Sequence, residues 1–135
     1  MDYERSITLP VPHDQAVTRT RDALSEQGFG ILSEIDVQAT LREKRGLEME
    51  NYLILGACNP DLAHQALDID RSIGVLLPCN VVVSSHPGGS KVQILDPQLM
   101  ASVTGLAELQ PLADEASRRL QATLDSLSAG ATEQQ

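Results

Sequence analysis

The chain has 135 residues, a formal net charge of −9, 41% hydrophobic residues, one Phe, two Tyr and no Trp. This length fits one domain with an aliphatic core, which we place at residues 1–128, followed by a disordered tail at 129–135. The negative charge disfavours nucleic acid and anionic membrane surfaces as partners. The segment from Met1 to Pro10 lacks the apolar stretch of a signal peptide or membrane span, so we expect cytoplasmic residence.

The first part of the chain is predicted to begin with a strand over Arg5 to Leu9 and a helix after Pro12. His13 or Asp14 is expected to cap that helix, and Gly28 suits the left-handed position after its end. A second strand is predicted from Phe29 to Val37, with Phe29, Ile31 and Ile35 on one face. Asp36 is expected to cap a short helix that runs through Lys44.

The segment from Tyr52 to Cys58 is apolar at both odd and even positions. This pattern predicts a strand that is covered on both faces or packed across an interface. Asn is a strong helix cap and Pro is favoured at the first helical position, so Asn59 and Pro60 are expected to start a helix directly after the strand. The buried face of that helix is predicted to consist of Leu62, Ala63, Ala66 and Leu67.

A further strand pattern places Cys79 with the core-facing set, which is Val75, Leu77, Cys79, Val81 and Val83. Pro78 cannot donate to a strand ladder, which predicts that this strand starts at a sheet edge or carries a bulge. Residues 86–90 are typical of a hairpin turn, with Lys91 to Leu95 as the antiparallel partner. Leucine and alanine spacing from Leu109 to Leu127 then predicts a long amphipathic helix.

These elements predict an α+β fold with a mainly antiparallel sheet and helices on one face. The other sheet face needs a cover. We expect Leu53, Leu55, Leu76 and Val82 to lie on that face and to contact a second copy of the chain in a two-fold homodimer.

Several segments, taken in this order, resemble the domain of unknown function 302 family over about Ser6 to Leu127. The segments are Gly28-Phe29-Gly30, residues 34–37, the run Ile54-Leu55-Gly56-Ala57-Cys58-Asn59-Pro60, residues 63–67, Ile73-Gly74, the run Leu76-Leu77-Pro78-Cys79-Asn80-Val81-Val82-Val83, and Asp96-Pro97. The resemblance implies a β-α-β(4)-α core similar to the TATA-binding-protein-like fold, a homodimer, and no established activity. It does not imply DNA binding, because fold does not determine function and the charge is of the wrong sign.

The candidate site residues are the two Cys-Asn dipeptides, Cys58-Asn59 and Cys79-Asn80, together with His64. If the strands pair antiparallel, the two thiols come close, which would permit a reversible disulfide or half of a metal site. The alternative is that both cysteines are inert core residues. Asn59 has a structural explanation as a helix cap, and Asn80 as a partner for backbone groups. If His64 faced Cys58, a Cys-His pair would form.

Two classes of function stay open. The first is a non-enzymatic homodimeric binding or interaction module for a small molecule or a protein partner, with no cofactor and no catalytic residue. The second is a thiol-dependent redox or metal-handling protein that uses Cys58 and Cys79. A reactive thiol needs a positive environment, and no cation lies within ten residues of Cys58 in the sequence, which favours the first class.

Overall fold

The computed structural model describes residues 3–133, with side chains described through residue 130. The described residues form five strands and five α-helices. The strands are β1 (Glu4–Leu9), β2 (Gly30–Asp36), β3 (Tyr52–Cys58), β4 (Cys79–His86) and β5 (Gly89–Leu95), and the helices are α1 (His13–Glu26), α2 (Val37–Arg45), α3 (Pro60–Ile69), α4 (Gln98–Thr104) and α5 (Gln110–Glu133). Two short 3-10 helices cover Arg71–Leu76 and Ala107–Leu109.

The five strands form one antiparallel sheet in the order β1-β5-β4-β3-β2. This arrangement confirms the predicted α+β class. The predicted hairpin is also confirmed, because β4 and β5 are joined at His86 and Gly89. Helix α5 extends to Glu133, so residues 129–133 of the predicted tail are helical. Residues 134–135 lie outside the described part, and the domain boundary stays a prediction.

Helices α1 and α5 pack on one face of the sheet and form the main core with it. Leu53 and Leu55 belong to this core, at 8% and 0% exposure, so their predicted position on the uncovered face is wrong. Leu53 and Leu55 lie opposite Val83 and Val81, and side chains at alternate positions of paired strands share one face. The uncovered face of β3 instead carries Tyr52 and Ile54.

A β-bulge in β2 changes which face its residues occupy. Ile31 is opposite Ala57, but Ser33 is opposite Gly56, so Leu32 is an extra residue in the pairing. One extra residue reverses the alternation of side chains beyond it. Ile35 therefore lies beside Ile54 rather than in the core, and it is 51% exposed. The prediction that Ile35 shares a face with Phe29 and Ile31 is wrong for this reason.

The strand predicted from Val75 begins only at Cys79. The prediction that Leu76 lies on the uncovered sheet face is therefore wrong, because Leu76 precedes the strand and packs against the cluster of Ala66, Ile73 and Leu109. Residues 71–76 form a 3-10 helix, which Asp70 caps by accepting a hydrogen bond from the Ser72 amide at 3.0 Å, and Val75 is 87% exposed. Pro78 lies just before β4, which is an interior strand, so neither a sheet edge nor a bulge is needed. Cys79 does face the core, as predicted.

The helix caps are only partly as predicted. Asp36 and Asn59 cap α2 and α3, accepting hydrogen bonds from the amides of Ala39 and Leu62. Gly28 adopts a φ of +84°, which fits its predicted left-handed position. Helix α1, however, starts after Pro12 without a side-chain cap. Pro12, in an extended conformation, is itself the cap residue, so His13 and Asp14 both lie inside the first turn and neither caps the helix.

Candidate functional site

A cavity lies at the end of the sheet where β3 stops and β4 starts. Its walls come from this sheet end and from α3, α4 and α5, and we call it the terminal cavity. The space measures about 560 Å³ including its open side, of which about 60 Å³ can hold the centre of a water molecule. The lining residues are mainly apolar: Phe29, Ala57, Cys58, Asn59, Leu62, Ala63, Ala66, Leu77, Cys79, Pro97, Met100, Leu109, Leu112, Ala113 and Ala116.

Small side chains on facing helices create this space. Ala63 and Ala66 lie one turn apart on α3, and Ala113 and Ala116 lie one turn apart on α5. Residues three apart share a helix face, so the two alanine pairs leave a gap where longer side chains would close it. Ligand pockets in proteins are mostly apolar with a few polar groups, which describes this cavity.

The local sequence at Asn59 shapes the cavity. The Asn59 side chain accepts a hydrogen bond from the Leu62 amide at 3.1 Å, and this cap lets α3 begin at once after β3. The helix therefore turns back beside the sheet end, and Asn59 itself is only 8% exposed. Cys79 is the first residue of β4 and lies opposite Ala57. In this way Cys58, Asn59 and Cys79 all come to line the cavity.

The other two candidate residues lie outside the terminal cavity. The side chain of His64 is 75% exposed on α3, with Nε2 at 3.7 Å from Oδ2 of Asp68. Asn80 lies opposite Gly56 and is exposed. Because it alternates with the core-facing Cys79 and Val81, it belongs to the uncovered sheet face. The structure thus brings together three of the five candidate residues.

Both thiols are free and are held in the neutral form. Burial raises the pKa of Cys58 above its ordinary value. Burial, and to a smaller extent the charge of a Cys58 thiolate, raises the pKa of Cys79 to about 11. The second effect shows that the two groups influence each other electrostatically. Since the thiolate is the nucleophile, neutral thiols at pH 7 are slow to react.

Sequence reasoning missed the residues that α4 and α5 contribute, including Met100, Ala113 and Ala116. It also missed α4 itself, because Gln98–Thr104 is short and has only Ala101 buried. The alanine pairs on α3 and α5 were a usable signal, since small residues at helical spacing on two neighbouring helices mark a gap. Among the residues that the structure describes, no group of three or more His, Cys, Asp or Glu side chains is arranged to hold a metal ion.

Comparisons with known proteins agree with this fold. A family model described as domain of unknown function DUF302 matches residues 5–127. The chain is similar to a crystal structure of an uncharacterized conserved DUF302 protein from Bacillus stearothermophilus, with 27% identity and a TM-score of 0.87 over 94% of this chain and 99% of that one. No curated protein matches the chain. Within residues 3–133, no helix is both long and apolar enough to cross a membrane.

Proposed function

Because the chain belongs to the DUF302 family, whose description names no activity, we propose a function from its own geometry: a non-enzymatic module that binds a small, largely apolar molecule in the terminal cavity. The observation that carries this proposal is the cavity itself, with its apolar walls and the single polar side chain of Asn59. Burial of apolar surface would supply most of the binding free energy, at about 25 cal/mol per Å².

The state of the two thiols supports binding rather than catalysis. An activated cysteine needs a lowered pKa, whereas burial raises the pKa of both Cys58 and Cys79. His64, the one histidine of α3, is exposed and contacts Asp68 instead of either thiol. The cysteines thus behave as small apolar wall residues.

Titration with 1-hexanol, followed by NMR shifts of the Met100 methyl group, tests this proposal. We expect saturable shifts in the native protein and their loss in Ala116→Leu, because the added carbons occupy the cavity. Ala122→Leu is the matched control, since Ala122 lies on the same helix and does not line the cavity. Equal binding by both variants, or no saturable binding by the native protein, would contradict the proposal.

We further propose that the protein is a homodimer that associates through the uncovered sheet face. Ile35, Ile54 and Val82 are neighbours across β2, β3 and β4 and continue into Gln93 of β5. Neither α1 nor α5 lies on this face, and Ile35 is 51% exposed. A second copy that presents the same apolar row would remove it from water. The apolar row is longer than the sequence indicated, because the β2 bulge adds Ile35 to it.

Sedimentation at micromolar concentration tests the dimer. Ile54→Lys should shift the protein toward the monomer, because the charged side chain would be buried between two copies. Thr8→Lys, on the same face at the polar β1 end, should have little effect. A native protein that sediments as a monomer would contradict the dimer proposal and leave the cavity proposal intact.

A second candidate function is the handling of a soft metal ion such as Cu(I). The specific observation is that Cys58, Cys79 and the thioether of Met100 line the same cavity, and thiolate and thioether sulfur atoms are the ligands that Cu(I) prefers. Titration of the reduced protein against a coloured Cu(I) chelator tests it. One tightly bound ion that is lost in Cys79→Ala and Met100→Leu, but kept in Met49→Leu, would favour this candidate.

A further inference from the structure

Two nitrogen atoms converge beside the terminal cavity at Gly28. A β-carbon placed on Gly28 would lie 2.8 Å from Nη1 of Arg119 and 2.9 Å from Nδ2 of Asn59. Both nitrogen atoms therefore border Gly28, which is exposed. Phe29, the next residue, lines the cavity, as does Ala116, one turn before Arg119 on α5.

These nitrogen atoms have donor capacity beyond their contacts within the protein. Arg119 donates from Nε to Glu115 at 2.8 Å and from Nη1 to the carbonyl oxygen of Gln27 at 3.1 Å. These two bonds use two of the five N–H groups of a guanidinium. The Asn59 oxygen atom caps α3, and Nδ2 has no hydrogen-bond acceptor among the described residues. Asn59 lines the cavity, and only 8% of its surface is exposed.

We infer that the molecule held in the terminal cavity is a short aliphatic carboxylate, with its chain in the cavity and its carboxylate bound by Arg119 and Asn59. The inference rests on the proposed binding function and names its ligand class. A guanidinium N–H and an amide N–H can each donate to one oxygen atom of a carboxylate. The apolar walls exclude a second charged group deeper in the cavity.

Arg119 keeps its positive charge available at this position. Its partner Glu115 also accepts hydrogen bonds from Arg118, so one carboxylate serves two guanidinium groups. A neutral ligand of the same length gains nothing from this charge, and an alkyl amine would be repelled. The arrangement therefore selects among apolar molecules by their head group.

The test compares hexanoate with 1-hexanol in the native protein and in Arg119→Gln, with the dissociation constant from NMR titration. We expect the native protein to bind hexanoate at least about tenfold more tightly than 1-hexanol, since a hydrogen bond to a charged group is worth about a factor of ten or more. Arg119→Gln should abolish this preference and leave 1-hexanol binding unchanged. Arg21→Gln removes an equal charge on α1, where Arg21 forms an ion pair with Glu34 of β2, and it should change the binding of neither ligand.

The variant Asn59→Asp provides a second test if Arg119→Gln does not fold. Asn59→Asp retains an oxygen that can cap α3, but it replaces the amide donor with a negative charge. It should weaken hexanoate binding relative to 1-hexanol binding by at least about tenfold. If both ligands bind equally well to the native protein, the carboxylate inference is overturned while the cavity proposal survives. If neither ligand binds, both fail.

Discussion

The substitution Gly28→Ala tests the geometry of the proposed carboxylate site at Arg119 and Asn59. Gly28 has a φ of +84°, and an added methyl group would meet Arg119 and Asn59 at 2.8 and 2.9 Å. The matched control is Gly46→Ala. Gly46, with a φ of +63°, has the same left-handed conformation at the end of α2, but a methyl group there has nothing within 4 Å.

The two substitutions share one cost and differ in another. An alanine in the left-handed conformation costs about 1 to 2 kcal/mol at either position. At Gly28 the methyl group also displaces the end of Arg119, and movement of that side chain breaks its hydrogen bond to Gln27. Losing this partly exposed bond adds about 1 to 2 kcal/mol. We therefore expect a loss of about 2 to 4 kcal/mol for Gly28→Ala and about 1 to 2 kcal/mol for Gly46→Ala.

Urea denaturation of the native protein and both variants measures these differences, provided the slope of the transition is unchanged. Gly28→Ala should also weaken the binding of hexanoate more than the binding of 1-hexanol, because the methyl group contacts both Arg119 and Asn59. Equal losses of unfolding free energy in the two variants would refute the reasoning, since they would mean that Arg119 and Asn59 do not crowd Gly28.

Four further predictions follow from single residues. Asn59→Ala should lower the free energy of unfolding by about 1 kcal/mol through loss of the α3 cap, and an unchanged melting temperature would sink that role. Cys79→Ser should cost about 1 to 3 kcal/mol in urea denaturation, because a hydroxyl group replaces a thiol in the core without an assured partner. The Cys79 thiol, with its pKa raised from 9.0 to about 11, should alkylate about a hundredfold more slowly at neutral pH than an exposed thiol and faster as the pH rises; fast native labelling would show that it is not buried. Hydrogen bonds from Arg118 and then Arg119 lower the pKa of Glu115 from 4.5 to about 2, so its stabilising effect is present above pH 4.5 and is lost as the pH falls through 2; Glu115→Gln should be less stable than the native protein at pH 6 and equally stable near pH 2, and the same difference at both pH values would contradict this.

Much of the fold follows from local sequence signals. Asn59-Pro60 places the start of α3 correctly, because the Asn59 oxygen accepts from one orphan amide of the first turn and Pro60 has no amide hydrogen that needs a partner. The turn at 86–90 is likewise set by its own glycines. Alternation of apolar residues also identifies β5 and the core face of β4 after Cys79.

The errors arise where a local signal is ambiguous or a single insertion matters. Leu53 and Leu55 were assigned to the wrong face because both parities of β3 are apolar, and only pairing with β4 decides between them. Ile35 lies on the opposite face from the predicted one because Leu32 forms a bulge, and no glycine in the sequence indicates this bulge. Val75 fits a strand pattern, but Asp70 caps a 3-10 helix there instead.

The candidate site was predictable only in part, because it is built from distant segments. The two Cys-Asn dipeptides pointed to the sheet end, and three of their four residues do line the cavity. The walls from α4 and α5, however, come from residues 20 or more positions after Asn80, and no periodicity shows which helix face will meet the sheet end. Arg119 was outside any motif, and only the tertiary contact with Gly28 brings it to Asn59.

The thiols and Arg119 belong to different parts of this site, and their charges show it. A guanidinium close enough to activate Cys58 would lower the pKa of that thiol, yet burial alone sets the direction of its shift, and the shift is upward. Arg119 instead donates to Glu115 and lies, like Asn59, next to Gly28. Arg119 therefore does not activate the Cys58 thiol. Such a division suits a ligand with an apolar chain and one charged end better than it suits chemistry at sulfur.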